Sequence, residues 1–354
     1  MDQEIGADLL GAVCPVPVRD QQQIVLGHGS GGKLSAELLQ KIFLPAFKNE
    51  FLSRLDDQAV LPIEGARVAF TTDAFVVTPI FFPGGNIGDL AINGTINDLA
   101  MSGAKPLYIA AAFILEEGLA MADLERVVGS MSVAAHCGGV QLVTGDTKVV
   151  NRGKGDKIFI TTTGIGLVDS KLRISADRAR PGDKILLSGT VGDHGIAIMS
   201  RRENLEFESA IESDTASLHT LVGEMIEASE QIHCLRDPTR GGVATTLNEL
   251  AASSRVGMVI DERQIPVRES VQGACEILGL DPLYVANEGK LLAIVDQADA
   301  AAVLQKMRAH PLGKEARVIG EVVADPPAMV LMKTAIGGTR VVDVLFGEQL
   351  PRIC

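Results

Sequence analysis

Four aspartates stand where they could hold a divalent cation. Asp57 lies in Asp56-Asp57-Gln58-Ala59-Val60, and Asp73 ends the apolar run that begins at Val68. Asp98 lies in Asn93-Gly94-Thr95-Ile96-Asn97-Asp98, and Asp237 opens Asp237-Pro238-Thr239-Arg240-Gly241-Gly242. Magnesium takes hard carboxylate oxygens, usually one or two from protein and the rest from water and phosphate. A glycine-rich stretch, Gly27-His28-Gly29-Ser30-Gly31-Gly32-Lys33, offers the phosphate half of such a site through backbone N–H groups and one ammonium. It fits GxxxxGK, but Leu34 stands where a P-loop carries the Ser or Thr that binds magnesium. A Walker site is therefore disfavoured, and any magnesium must be held elsewhere. The same stretch also fits a glycine linker.

The chain ends on Cys354, one of five cysteines with Cys14, Cys137, Cys234 and Cys275. The odd count and the absence of CxxC argue against a disulfide framework and for a reducing cytoplasm. Four of them read as small core residues. Cys354 does not, because a thiol beside a free carboxylate is no ordinary core group. It is either an accidental exposed end or a reactant on a tether.

Asn86 to Ser102 reads as the helix that carries Asp98, closed by Gly103. Ile92, Ile96 and Leu99 fall on one face and Leu90, Gly94 and Met101 on the other, so the helix is expected to be buried. Asn93, Asn97 and Asp98 then need partners, since an unpaired buried carboxylate is unfavourable. Gly94, four residues before Asp98, is expected to leave room for a ligand. Asp237 has a second reading, because Asp at an N-cap with Pro at the first helical position serves a helix start for local reasons.

The elements that must position these residues follow from periodicity. Strands are expected near 67–80, 107–115, 140–144 and 157–168, and helices over Leu34–Phe47, broken at Pro45, and over Leu119–His136. After a polar stretch at 178–183 the pattern restarts, with helices over 195–202, 216–231, 238–254 and 297–310 and strands at 184–188, 258–261, 291–295, 317–323 and 329–333. Length suggests two domains. The expected organisation is an arm at 1–23, an N-terminal nucleotide-binding and dimerisation domain at 24–170, a C-terminal domain at 171–336 and a flexible tail at 337–354. Both halves mix strands and helices without strict alternation, an α+β class. Gly347 to Cys354 has nothing evident to hold it and would reach about 25 Å extended.

Composition narrows the function. Of 354 residues 46% are hydrophobic and 22% charged, which excludes a disordered chain. A net charge of −13 argues against nucleic acid or an anionic membrane surface as partner. With no Trp and two Tyr, a stacking platform for single strands is not expected. No apolar run is long enough to span a bilayer, and the acidic Met1-Asp2-Gln3-Glu4 is not a signal peptide.

Asp56-Asp57-Gln58-Ala59-Val60, Thr71-Thr72-Asp73, Asn97-Asp98-Leu99-Ala100 and Asp237-Pro238-Thr239-Arg240-Gly241-Gly242 resemble the ATP-binding signature of the aminoimidazole ribonucleotide synthetase superfamily. That group includes selenophosphate synthetase and thiamine-phosphate kinase. Within it, His28-Gly29-Ser30-Gly31-Gly32-Lys33, Val143-Thr144-Gly145-Asp146-Thr147-Lys148 and Pro351-Arg352-Ile353-Cys354 are similar to the HypE family of hydrogenase maturation proteins. The resemblance runs from about Ile24 to Cys354 and implies two α/β domains, the N-terminal ones pairing around a β-barrel in a homodimer.

The implied activity is ATP-dependent dehydration of a carbamoylated Cys354 to a thiocyanate, destined for the iron of [NiFe] hydrogenase. The implied partners are the carbamoyltransferase HypF and the HypC–HypD complex. ATP and Mg2+ are the implied cofactors. Asp57, Asp73, Asp98 and Asp237 are expected as metal ligands. His28, Gly31, Gly32, Lys33, Asn93, Asn97, Asp146 and Arg240 are expected to bind nucleotide. Glu288 is expected as base and Lys148, carried by a loop after Val140–Thr144, as charge stabiliser. Without the resemblance, Lys148 also fits a surface ion pair and Asn287-Glu288-Gly289 a hairpin turn. Asp193-His194 is a weaker candidate. Two other readings stand: a kinase-like or selenophosphate synthetase-like enzyme, weakened because Gly32 sits where the synthetase has Cys or selenocysteine, and a metallochaperone carrying metal on Cys354, weakened because no Cys or His neighbours it in the tail.

Overall fold

The computed structural model describes residues 24, 28, 32–47, 49–203, 211–345, 350, 352 and 353. The arm 1–23, Gly31 and Cys354, all part of the sequence expectations, lie outside the described residues.

The first layer is a five-stranded sheet in the order β1-β2-β7-β5-β6. Its strands are β1 (Ala59–Ile63), β2 (Ala66–Phe75), β5 (Lys105–Glu116), β6 (Gln141–Val150) and β7 (Ile158–Leu167); a short hairpin, β3 (Phe81–Phe82) and β4 (Gly85–Asn86), stands apart. Only β5 and β6 pair in parallel. Alternation along β2 turns Ala69, Thr71 and Phe75 inward and Phe70, Thr72 and Ala74 outward.

The Lys33–Phe47 segment runs as α1 (Lys33–Leu38), a π-turn stretch Leu39–Phe43 and α2 (Leu44–Phe47). Pro45 does not break it, because it stands in the first turn of α2, where a missing N–H is tolerated. The helix with Asp98 is α3 (Ile87–Ala100), buried on nearly every face and packed between the sheet and α4 (Met121–Cys137). Asn86 and Asp89 close a capping box at its start. Gly94 meets the Phe75 ring, which a Cβ would approach to 3.0 Å. The glycine therefore admits that ring, where the sequence had suggested room for a ligand.

The second layer is a seven-stranded sheet in the order β14-β13-β10-β12-β8-β11-β9. It comprises β8 (Lys184–Leu187), β9 (Ile232–Arg236), β10 (Gly257–Asp261), β11 (Leu292–Val295), β12 (Arg317–Val323), β13 (Met329–Lys333) and β14 (Thr339–Val342). Around it lie α5 (Asp193–Arg202), α6 (His219–Ala228), α7 (Gly242–Ser254), α8 (Glu269–Leu278) and α9 (Ala300–Ala309). The sequence reading missed β9 and α8 and started α7 four residues early.

The described part of the tail is held. β14 pairs with β13, and Leu350 and Ile353 are buried in one apolar cluster with Val77, Ile196 and Val285. The expectation that nothing holds Gly347 onward does not apply to Leu350, Arg352 and Ile353. The side chains of Leu350 and Ile353 pack into that cluster, and the Arg352 and Ile353 carbonyls accept from Thr78 N, Arg202 and His194. Among the described residues no helix is long and apolar enough to cross a membrane.

Candidate active site

Asp73 comes from β2, Asp98 from α3, Asp57 from the turn before β1 and Asp237 from the segment after β9. Asp237 is buried and the other three are half-buried, each beside at least one of the others. Asp98 feels Asp73, Asp237 and Asp57, and Asp57 feels Asp237. Thr71, inward on β2, places its hydroxyl 2.6 Å from Asp98 Oδ2 and 3.0 Å from the Asp57 carbonyl.

Burial pushes the Asp57 and Asp98 carboxyls well above the usual range and raises Asp73. Asp237 is pushed up to about 6, burial again leading and Arg236 opposing. Glu288, in the loop before β11, joins the cluster: burial, then the charges of Asp237, Asp214 and Asp73, hold it well above its ordinary value. Its Oε1 has no hydrogen-bond partner among the described residues. Arg236 Nε stands 2.8 Å from Asp57 Oδ2, an ion pair at the edge of the cluster. Hard carboxylate oxygens crowded in one place, with Glu288 Oε1 unpartnered among them, are a donor set that fits magnesium.

Asp237 does not cap a helix. α7 begins at Gly242, with Gly241 as its N-cap in the left-handed region at φ 77°. A Cβ on Gly241 would collide with Thr245, so the turn demands glycine. The local reason for Asp237 therefore lapses. Its neighbour in the signature, Arg240, lies within electrostatic reach of Asp73 and Glu288.

The pair Asp56-Asp57 divides its labour. Asp56 accepts from Ala176 N (2.9 Å) and Ser175 Oγ (3.1 Å), tying the turn to the segment that leads to β8, and Asp57 faces the cluster. Beside Asp57 opens a cavity of ≈ 630 Å³ lined by Gly32, Leu39, Leu52, Leu55, Thr71 and Arg236, a size that suits a nucleotide.

Other expected residues are placed differently. Asn97 donates to the carbonyls of Ala216 (3.0 Å) and Glu288 (3.1 Å) and accepts from Leu218 N (2.8 Å), so its amide is fully used within the chain. Asn93 likewise accepts from Ser217 Oγ at 2.7 Å. Both asparagines join the domains, whereas the sequence reading had them on the nucleotide; burying α3 left their amides only backbone and side-chain partners. Lys33 pairs with Asp343 at 2.8 Å and its N–H bonds the Leu345 carbonyl, so here it ties the tail. His28 is half-buried, and Gly32 caps α1 and lines the cavity. Lys148 is not on a loop: β6 continues to Val150 because it pairs with β5 from Tyr108 to Glu116. Its side chain is 71% exposed and bonds both oxygens of Asp146, whereas Glu288 is buried in the other domain.

Two residues near Glu288, Asp214 and Asn287, escaped the sequence reading. Asp214 Oδ1 accepts from Glu288 N (3.0 Å), and its Oδ2 binds Lys290 Nζ (2.9 Å) in a buried ion pair. Asn287 accepts from Gly192 N at 2.8 Å and donates to Pro238 O at 2.9 Å. His194, of the weaker candidate pair Asp193-His194, is fully buried beside the tail. Asn287-Glu288-Gly289 is thus a pinned connector; the only sequence sign was a Glu between two apolar strands.

Residues 55–168 match the family model described as AIR synthase related protein, N-terminal domain, and residues 180–332 its C-terminal domain. Carbamoyl dehydratase HypE of Cupriavidus necator is 58% identical over 350 residues, covering 99% of each chain. The chain belongs to the AIR synthase-related family, among its HypE carbamoyl dehydratases. The HypE of Escherichia coli is 46% identical over 94% of this chain and 99% of its own. Among solved structures, a HypE–HypF complex superposes with TM-score 0.83 at 48% identity, covering 87% of this chain and 99% of that one. A HypE bound to ATP superposes at 0.79 with 51% identity, covering 94% and 100%. The expected two-domain α/β architecture of this family is the one observed.

Proposed function

We propose that this chain uses ATP to dehydrate an S-carbamoyl group on Cys354 to a thiocyanate, the source of the cyanide ligand for [NiFe] hydrogenase iron. The observation that carries the reading is the end-to-end match to named carbamoyl dehydratases. The physical problem is that hydroxide is a poor leaving group from a primary amide. Transfer of the γ-phosphoryl group to the carboxamide oxygen makes phosphate the leaving group and releases ADP. As the C–O bond breaks, nitrogen gives up two protons and the C≡N bond forms.

The cavity beside Asp57 is the proposed seat of the nucleotide, and Asp57, Asp73, Asp98 and Asp237 the proposed magnesium ligands. Magnesium there would neutralise charge on the transferring phosphoryl group. Glu288 is the proposed base: a carboxylate raised toward neutrality holds a nitrogen proton better than an ordinary one. Arg240, within reach of Glu288, offers positive charge to the phosphates. Lys33 and His28 on the glycine-rich stretch are proposed phosphate or tail contacts, Lys33 after leaving Asp343. Lys148 and Asp146, exposed on edge strand β6, are proposed to act where a second subunit covers that edge.

The outward row Phe70, Ile165 and Tyr108, aligned across β2, β7 and β5, supports a homodimer formed on this sheet. HypF is the proposed donor of the carbamoyl group, because a HypE structure similar to this chain is complexed with it. A HypC–HypD acceptor and a cytoplasmic setting complete the reading.

The test is removal of Ile353-Cys354. The truncated protein should bind ATP and support no cyanide-ligand formation in a maturation assay. Undiminished ligand formation contradicts the reading, and ATP turnover driven by a free small molecule would favour the kinase-like one.

A further inference from the structure

His194 Nε2 lies 2.6 Å from the carbonyl oxygen of Ile353, and Nδ1 lies 2.8 Å from Ser213 Oγ. The ring is fully buried and edge-on to Phe82. A carbonyl can only accept, so Nε2 carries the proton. Burial lowers the ring's affinity for a second proton, so Nδ1 accepts and the Ser213 hydroxyl donates. Ser213 Oγ in turn accepts from Thr215 N at 3.2 Å.

The next residue is Asp214, the acceptor for Glu288 N. Gly289 presses so closely on Asp214 that a Cβ there would collide with its backbone. A continuous run of contacts therefore joins the tail to the proposed base: Ile353, His194, Ser213, Asp214, Glu288.

A second hold lies one residue earlier. Arg202, at the end of α5, donates from Nη2 to Thr78 O (2.7 Å) and to Arg352 O (2.8 Å). Thr78 N donates to the same Arg352 carbonyl, and Val77 bridges to Ile353. These contacts read the backbone. Side chains are read by burial of Leu350 and Ile353 and by Arg352 Nη1 on Asp156 at 2.6 Å.

We propose that His194 and Arg202 are positioning residues for the dehydration, a clamp on the last two carbonyls before the terminal cysteine that sets the chain end in register with Glu288 through Ser213 and Asp214. The proposal rests on the reading that Cys354 carries the reacting group. Two measurements on the full chain test it. One is the rate of Cys354 alkylation by iodoacetamide with Mg–ATP present, read by peptide mass mapping. The other is single-turnover water loss from pre-carbamoylated protein.

His194→Ala should speed alkylation and slow water loss, each by about tenfold, and His194→Gln should restore most of both. Mg–ATP affinity should stay at its wild-type value, which a general loss of structure at the site would move. Arg202→Ala should act in the same directions and serves if His194→Ala does not fold. Folded variants with wild-type alkylation and wild-type water loss overturn the clamp. If the wild type loses no water, the reading of Cys354 fails, and the alkylation arm still decides: faster labelling in the variants upholds the clamp and unchanged labelling overturns it.

Discussion

Asp214 accepts the backbone N–H of Glu288 at 3.0 Å with one carboxylate oxygen and the Lys290 ammonium at 2.9 Å with the other. One side chain thus fixes the main chain beneath the proposed base and neutralises the one ammonium in that loop. Lys290 holds the Asp214 carboxyl below its ordinary pKa against the burial that would raise it.

Asp214→Asn keeps an acceptor for Glu288 N and strands Lys290 as a buried charge. Breaking one side of such a pair destabilises by about 3–5 kcal/mol. Thermal denaturation should show a clear drop in midpoint, and Asp214→Asn with Lys290→Met should recover much of it. An unchanged midpoint in the single variant would show that the pair contributes nothing to the fold.

Asp98→Asn should move stability and binding in opposite directions. It removes like-charge crowding from an apo site in which burial already disfavours ionisation, so the metal-free protein should melt at a higher temperature. It also removes a proposed metal ligand, so Mg–ATP affinity by calorimetry should fall by at least about tenfold. Unaltered affinity would take Asp98 out of the ligand set.

The tail contact should respond to acid. The folded pKa of His194 is lowered by burial, with Asp214 and the Ile353 carbonyl opposing, and Ser213 and Phe82 are the other groups against the ring. Between the unfolded value near 6.5 and the lower folded one, the unfolded chain binds the extra proton. This contribution is therefore complete above the unfolded pKa and lost as pH falls through the folded one. The midpoint difference between wild type and His194→Gln should shrink from pH 7.5 to pH 5. A difference that widens contradicts the burial argument.

Phe70→Asp places a charge in the outward row shared with Ile165 and Tyr108. Light scattering after gel filtration should find wild type as a dimer and the variant shifted to monomer. A variant that remains wholly dimeric would move the interface away from this sheet.

Asp73 and Asp98 were legible as inward residues because an apolar strand and a buried helix carry them, whereas Asp57, in a turn, and Asp237, after a strand that periodicity missed, were marked only by the family signature. The burial of α3 was legible for the same reason, from apolar residues on both its faces. Asn93 and Asn97 were misread because burial predicts that an amide needs a partner and does not say which one. Asp214 was invisible: nothing in Glu212-Ser213-Asp214 shows that Lys290 lies opposite, 76 residues on. The held tail was missed because short apolar residues beside Pro351 show no period. Its retention depends on His194 and Arg202, brought near only by the folding of α5.

The central claim is that the terminal sulfur carries the group from which water is removed. Intact mass spectrometry after incubation with ATP, magnesium, carbamoyl phosphate and the carbamoyltransferase tests it most directly. A carbamoyl adduct on Cys354 followed by loss of one water, dependent on ATP and blocked in Glu288→Gln, is the predicted result. An adduct that persists unchanged with ATP present, or one that forms on a residue other than Cys354, would contradict it.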